Sequence, residues 1–126
     1  MFEFYKALKN HMESNMVLFS AIAMNGLTTN PKSISIGSMP SPLGGKHYDE
    51  KRERIVQIQV LVKSTDPKEA MDTAEFIDSF LDDSSFTATG YKVNSCESYV
   101  PPSYLEKTAK SEYIYTAAYR AEIMKE

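Results

Sequence analysis

Apolar residues recur along this chain with two different periods, and the switches between them mark its elements. Over residues 2–13, Phe4, Leu8 and Met12 return every fourth position with Tyr5 beside them, while Glu3, Lys6, Lys9 and Asn10 are polar. That spacing lays one apolar stripe along a helix. Ser14 and Asn15 punctuate its end. Residues 17–24 form a short apolar run, which predicts a buried strand. Asn25-Gly26 then predicts a tight turn of the hairpin type, and Asn30-Pro31 a second break. Residues 33–39 alternate, with Ile34 and Ile36 on one face and Ser33, Ser35 and Gly37 on the other, as a half-buried strand does.

Residues 40–53 break the pattern. The stretch PSPLGGKHYDEKRE holds two prolines, two adjacent glycines and six charges. It has no periodicity and little apolar area to bury, so it predicts a long, mobile loop. A loop of this length inside a domain is usually functional or disordered.

The clearest strand covers residues 54–64. Val56, Ile58, Val60 and Val62 fall on one face, Gln57, Gln59 and Lys63 on the other, with Leu61 as the exception. Stiff β-branched side chains dominate the inner face. A helix follows over residues 67–82. Asp66 is placed to cap it, Pro67 suits its first position, and Glu69 is placed to bond back to the cap amide. Ala70, Ala74, Ile77 and Leu81 form its core stripe, widened by Thr73 and Phe80. Asp72, Glu75, Asp78 and Asp82 cover the opposite face. Residues 91–100 alternate weakly and end at Pro101-Pro102. Residues 112–124 make a long strand with Tyr113, Tyr115, Ala117, Tyr119, Ala121 and Ile123 on one face. The sum is α+β in the order α-β-β-β-α-β-β, one domain spanning residues 1–126, with an antiparallel or mixed sheet and two helices on one face.

Composition narrows the function classes. At 126 residues, 42% hydrophobic and 25% charged, the chain is the size and make-up of one globular domain. The net charge of -3 gives no basic footprint for nucleic acid. A single cysteine, Cys96, excludes an internal disulfide and a site built on cysteine pairs, and suits a reducing cytoplasm. The apolar run at residues 16–24 is far shorter than the roughly 20 residues of a membrane span. It lacks the basic flank of a signal peptide. No export by that route and no membrane anchor are expected.

Chemistry-bearing residues are sparse. His11 sits on the flank of the first helix and His47 in the predicted loop. Neither has a nucleophile and orienting partner at hand, as catalysis needs. Cys96, inside a predicted strand, reads as an inert buried thiol. Gly44-Gly45 lacks the surroundings of a phosphate-binding loop. Asp49, Glu50 and Glu53 are interleaved with Lys51, Arg52 and Arg54, which makes a solvated, self-neutralising run rather than a set of metal ligands. No catalytic residue, cofactor or metal is expected. The tyrosines are more telling, because Tyr91, Tyr99, Tyr104, Tyr113, Tyr115 and Tyr119 all fall in the last third of the chain. A large apolar ring with a polar tip suits interfaces. Of these, Tyr99, Tyr104, Tyr113 and Tyr115 are the candidates for a subunit or partner surface. Exposed sheet edges need covering, and pairing with a neighbouring subunit is one solution.

Three segments carry a family likeness. They are FYKALKNHME at the start, PSPLGGKHYD with the following RIVQIQVLVKSTDPKEAMDTAEFIDSFLDD, and SCESYVPPSYLEKTAKSEYIYTAAYRAEI at the end. Together they resemble the minor capsid, or tail-completion, proteins of long-tailed bacteriophages of Gram-positive bacteria, a family structurally similar to the tail terminators. The likeness skips residues 20–32. It implies a virion protein made in the host cytoplasm. Its copies would form a hexameric ring on the end of the tail tube, stop tube growth and meet the head's neck proteins. DNA would pass through the lumen without specific binding. In that setting Pro42, Gly44, Gly45, Lys46, His47, Tyr48 and Asp49 would line the lumen or reach a neighbouring ring. Two other readings remain open: a head-closure or neck connector protein, and, from a different class, a small α+β enzyme or ligand-binding module.

Overall fold

In the computed structural model, which describes residues 2–38 and 53–125, six strands form one sheet crossed by two helices on the same face. The elements in chain order are α1 (Phe2–Asn15), β1 (Ile22–Met24), β2 (Ser33–Ser38), β3 (Glu53–Ser64), α2 (Pro67–Leu81), β4 (Ser84–Ala88), β5 (Tyr91–Lys107) and β6 (Tyr113–Lys125). The strand order is β1-β2-β3-β6-β5-β4. Only β1 and β2 run parallel; every other neighbouring pair is antiparallel.

Register explains the core. Ile34 faces Val62, Ile36 faces Val60, Val60 faces Ala117 and Ile58 faces Tyr119. Side chains directly opposite share a face, so these residues make one apolar surface. Phe4, Leu8 and Met12 of α1 and Ala70, Ala74, Ile77 and Leu81 of α2 close over it, and all are buried. Each fully buried Leu, Ile or Phe contributes about 1.5–3 kcal/mol. Helix α1 touches β1 and β2 at one end of the strand order and β4 at the other, so the sheet curls around it. Two buried hydroxyls tie the layers together. Tyr5 donates to the Gln57 carbonyl at 2.8 Å and Tyr119 to Asp78 Oδ1 at 2.7 Å. Burial pushes the Tyr5 phenol up to about 12. It raises that of Tyr119 further, with the Asp78 hydrogen bond adding to the effect.

Helix α2 starts as its sequence predicts. Asp66 accepts from the Lys68 amide at 3.0 Å and Pro67 takes the first turn. Glu69 does something else. Its Oε1 accepts from Ser64 Oγ at 2.7 Å and lies 2.9 Å from Lys32 Nζ. Ser64 Oγ in turn accepts from the Asp66 amide, at 3.1 Å. The cap amide is thus satisfied through a serine rather than by the carboxylate.

Four expectations about the strands need correction. Residues 17–24 do not form one buried strand. Helix α1 continues to Asn15, only residues 22–24 pair, and Val17 is 94% exposed. Second, Asn25-Gly26 does not close a hairpin, because β1 and β2 are parallel. The turn, with Asn25 at φ 60, instead sends residues 25–32 across the face opposite the helices. There Gly26 N donates to Ser35 Oγ and Thr28 N to Ser33 Oγ, while Lys63 Nζ donates to the Thr28 carbonyl. That crossing buries Ser33, Ser35 and Lys63, the face expected to meet solvent. It also explains Gly37, where a Cβ would stand 2.6 Å from Asn25 Oδ1.

Third, an additional strand, β4, precedes β5. It forms a hairpin with β5, Ala88 facing Tyr91 across a turn in which Gly90 takes φ 81. Phe86 and Ala88, its two apolar residues, pack inward, too few to show as a period. Fourth, β5 does not stop at the prolines, but runs on to Lys107.

Candidate assembly surface

Strand β5 spends seventeen residues against the thirteen of β6. The excess is taken up at four irregularities, between Val93 and Ser95, Ser98 and Val100, Val100 and Ser103, and Tyr104 and Glu106. At the third, Pro101 and Pro102 together face Ala117. Extra residues of this kind bend a strand and redirect its side chains. They also break the two-residue period, which is why residues 91–100 alternate only weakly in sequence. Past Cys96 strand β5 has no strand partner on its outer side among the described residues, since β4 pairs only with residues 91–96. Proline is tolerated there, because no ladder hydrogen bond is required of the missing N–H.

This outer half of the β5–β6 hairpin carries all four candidate tyrosines. Tyr104 lies directly opposite Tyr115, their rings edge to face at 5.8 Å. Tyr113 lies two residues from Tyr115 on the helix-bearing face, with Lys107 Nζ 5.3 Å from its ring centre. Tyr99 is the extra residue at the second irregularity. Tyr99, Tyr104 and Leu105 are 52%, 55% and 49% exposed. The six tyrosines of the last third therefore divide. Tyr91 and Tyr119 are core, Tyr113 and Tyr115 half-buried, and Tyr99 and Tyr104 open. Sequence reasoning missed Leu105, which lacks a periodic context because it too is an inserted residue.

The turn that closes the hairpin is held rigidly. Thr108 N donates to the Glu112 carbonyl and Ser111 N to the Thr108 carbonyl, with Ser111 at φ 60. Thr108 Oγ1 donates to Glu112 Oε1 at 2.9 Å and accepts from Glu112 N at 3.2 Å. Glu112 stands 3.9 Å from Lys63 Nζ, both side chains 7% exposed. So the exposed strip is not a frayed loop. It is carried on a ladder fixed at both ends.

Other residues weighed from the sequence fall into place. Cys96 is buried in β5, and burial pushes its thiol up to about 12, so it is no nucleophile at neutral pH. His11 stacks flat on Phe86 at 4.4 Å and lies against Phe80 at 5.6 Å. Desolvation lowers its pKa. Asp78 is not on an outward face, since it accepts from Tyr119. Asp82 both ends α2 and accepts from Ser98 N at 2.7 Å. Among the described residues no group of three or more His, Cys, Asp or Glu could hold a metal ion, and no helix is long and apolar enough to cross a membrane. Pro42, Gly44, Gly45, Lys46, His47, Tyr48 and Asp49, with Glu50, lie outside the described residues.

No curated protein matches the sequence. The fold is similar to a chain in the solved virion of a native gene transfer agent particle. The identity is 11% and the TM-score 0.66, over 95% of this chain and 90% of that one. A model of the family described as bacteriophage tail terminator protein matches residues 21–125. That span holds the whole sheet and α2, and it takes in residues 21–32, which the likeness seen in the sequence alone skipped. By that match the chain belongs to the bacteriophage tail terminator family, and is a structural, non-enzymatic component of a phage-type virion tail.

Proposed function

We propose that this chain caps the end of a tail tube as a hexameric ring, ends tube polymerisation, and joins the tail to the neck of the head. The observation that carries the reading is the tyrosine strip on the outer half of the β5–β6 hairpin, in a chain of the tail terminator family. A rigid ladder presenting Tyr99, Tyr104 and Leu105 to solvent holds aromatic area ready for burial against a partner. Buried aromatic side chains of this kind dominate binding, at about 2 kcal/mol or more each where they sit at an interface centre. In this reading the strip docks on the last ring of tail-tube protein. The opposite end of the assembly meets a neck connector, and DNA passes through the lumen. The work is done by area hidden between neighbours, with no bond made or broken.

Polymerising tail-tube protein with and without this chain, followed by electron microscopy, tests the reading. Short tubes carrying a ring at one end are expected. Tubes that grow to the same lengths with bare ends would refute it. Pull-down against tube protein and against connector protein separates capping from head closure. Capture by the connector alone would move the chain to the other side of the junction.

A further inference from the structure

The charge of this molecule is unevenly placed. Between residues 66 and 83 the sequence has seven carboxylates and one lysine, while the whole chain is -3. The remainder therefore carries a surplus of three positive charges. The carboxylates follow α2, whose outer crest exposes Asp72 and Glu75 between two apolar side chains, Met71 and Phe76, at 40% and 47% exposure. The crest is convex, acidic and capped by apolar knobs.

A concave counterpart lies elsewhere on the chain. Between α1 and the β4–β5 turn is a cleft of about 440 Å³. Ala7, Gly90 and Tyr91 line it, with Lys6 and Lys125 as its cations and Glu3 as its one carboxylate. Lys6, Lys125 and Glu75 form no ion pair among the described residues, while Asp72 accepts from Lys68 Nζ at 2.7 Å across an exposed i,i+4 pair that water screens. Cations with no ion-pair partner among the described residues, beside an apolar floor, match an acidic crest with apolar knobs in both charge and curvature.

We propose that the cleft between α1 and the β4–β5 turn receives the α2 crest of a second copy of this chain. The proposal rests on the reading above that copies of the chain act as an assembly, and it names the contact between them. Two different surfaces are joined, so the contact is heterologous and closes into a ring when its rotation fits. An isologous contact through α2 would instead oppose like charges, which costs several kcal/mol.

The test uses paired charge reversals in the full chain, Lys6→Glu with Lys125→Glu, and Asp72→Lys with Glu75→Lys. Native mass spectrometry reads multimers of the chain alone and of the chain released from tube ends. Each variant should associate at least about tenfold more weakly than wild type. An equimolar mixture of the two should recover, because each variant's reversed surface meets the other's. The neutral pair Lys6→Gln and Lys125→Gln should weaken association less. Thermal melts of all these variants should match wild type, the positions being at the surface. The contact is overturned if either reversal associates like wild type, if both fail and the mixture does not recover, or if wild type forms no multimers in either setting. Capping of tubes is read separately. Capping with unperturbed variants sinks this contact alone, and multimers that leave tube ends bare sink the capping function alone.

Discussion

Strand β3 and the outer half of β5 lie two strands apart in the same sheet, yet their side chains meet opposite surroundings. In β3 the register to both neighbouring strands is unbroken. Ile58, Val60 and Val62 face the helices, and Lys63 on the other face is sealed under residues 25–32. In outer β5 the period is broken three times after Ser98, and aromatic and aliphatic side chains stand in water. The difference separates two uses of apolar area. Area buried under α1 and α2 is already committed to folding. Area on Tyr99, Tyr104 and Leu105 is left uncommitted by a strand that stays paired to β6 on both sides of each inserted residue. Damage to the first region should show in melting, and damage to the second in association only.

The largest effect is expected from Val60→Asp, which puts an unpaired charge at the centre of the core. A loss of about 4 kcal/mol or more, enough to abolish the cooperative thermal transition, is predicted. An unchanged melt would show that β3 does not present that face to the helices. Next comes Tyr119→Phe, which removes the donor to Asp78 and leaves that carboxylate half-buried. A loss of about 1–2 kcal/mol by denaturant titration is expected. The double substitution Tyr99→Ala with Tyr104→Ala should change stability by no more than about 0.5 kcal/mol, while tube capping is lost. Melting that falls as far as with Tyr119→Phe would erase the distinction between the regions.

The smallest effect is expected at His11. Its folded pKa is lowered by desolvation against Phe80 and Phe86, so the unfolded chain binds the proton more readily. Stability from this group is complete above the unfolded value near 6.5 and declines as pH falls below it. A comparison of melts at pH 7 and pH 5.5 for wild type and His11→Gln should show the wild-type decline reduced in the variant.

Much of the architecture was legible in the sequence, and the reason differs by element. Strand β3 and helix α2 were readable because the inner face of β3 is apolar at every second residue from Val56 to Val62, α2 keeps one helical stripe, and α2 begins with a capping residue and a proline. Residues 17–24 misled because a short apolar run carries no information about whether a neighbouring strand exists to pair with it. Asn25-Gly26 was read correctly as a turn and wrongly as a hairpin, because backbone chirality at two residues does not say which side of a sheet the chain next crosses. The weak alternation of residues 91–100 is the mark of inserted residues, and Pro101-Pro102 reads as a stop where the strand goes on past the end of β4. For the candidate surface, clustering of tyrosines in the last third pointed to the right hairpin. It did not separate core Tyr119 from open Tyr104, because that depends on register and on where α2 ends its cover.

The margins of the sheet have a further consequence. One border is β1, three residues long, and the other is β4, five residues long, continued past Cys96 by the part of β5 that prolines and inserted residues interrupt. Neither offers the flat, regular row of amides on which foreign strands add in aggregation. Strand addition at these margins is thereby disfavoured, which leaves recognition of a particular neighbour to side chains.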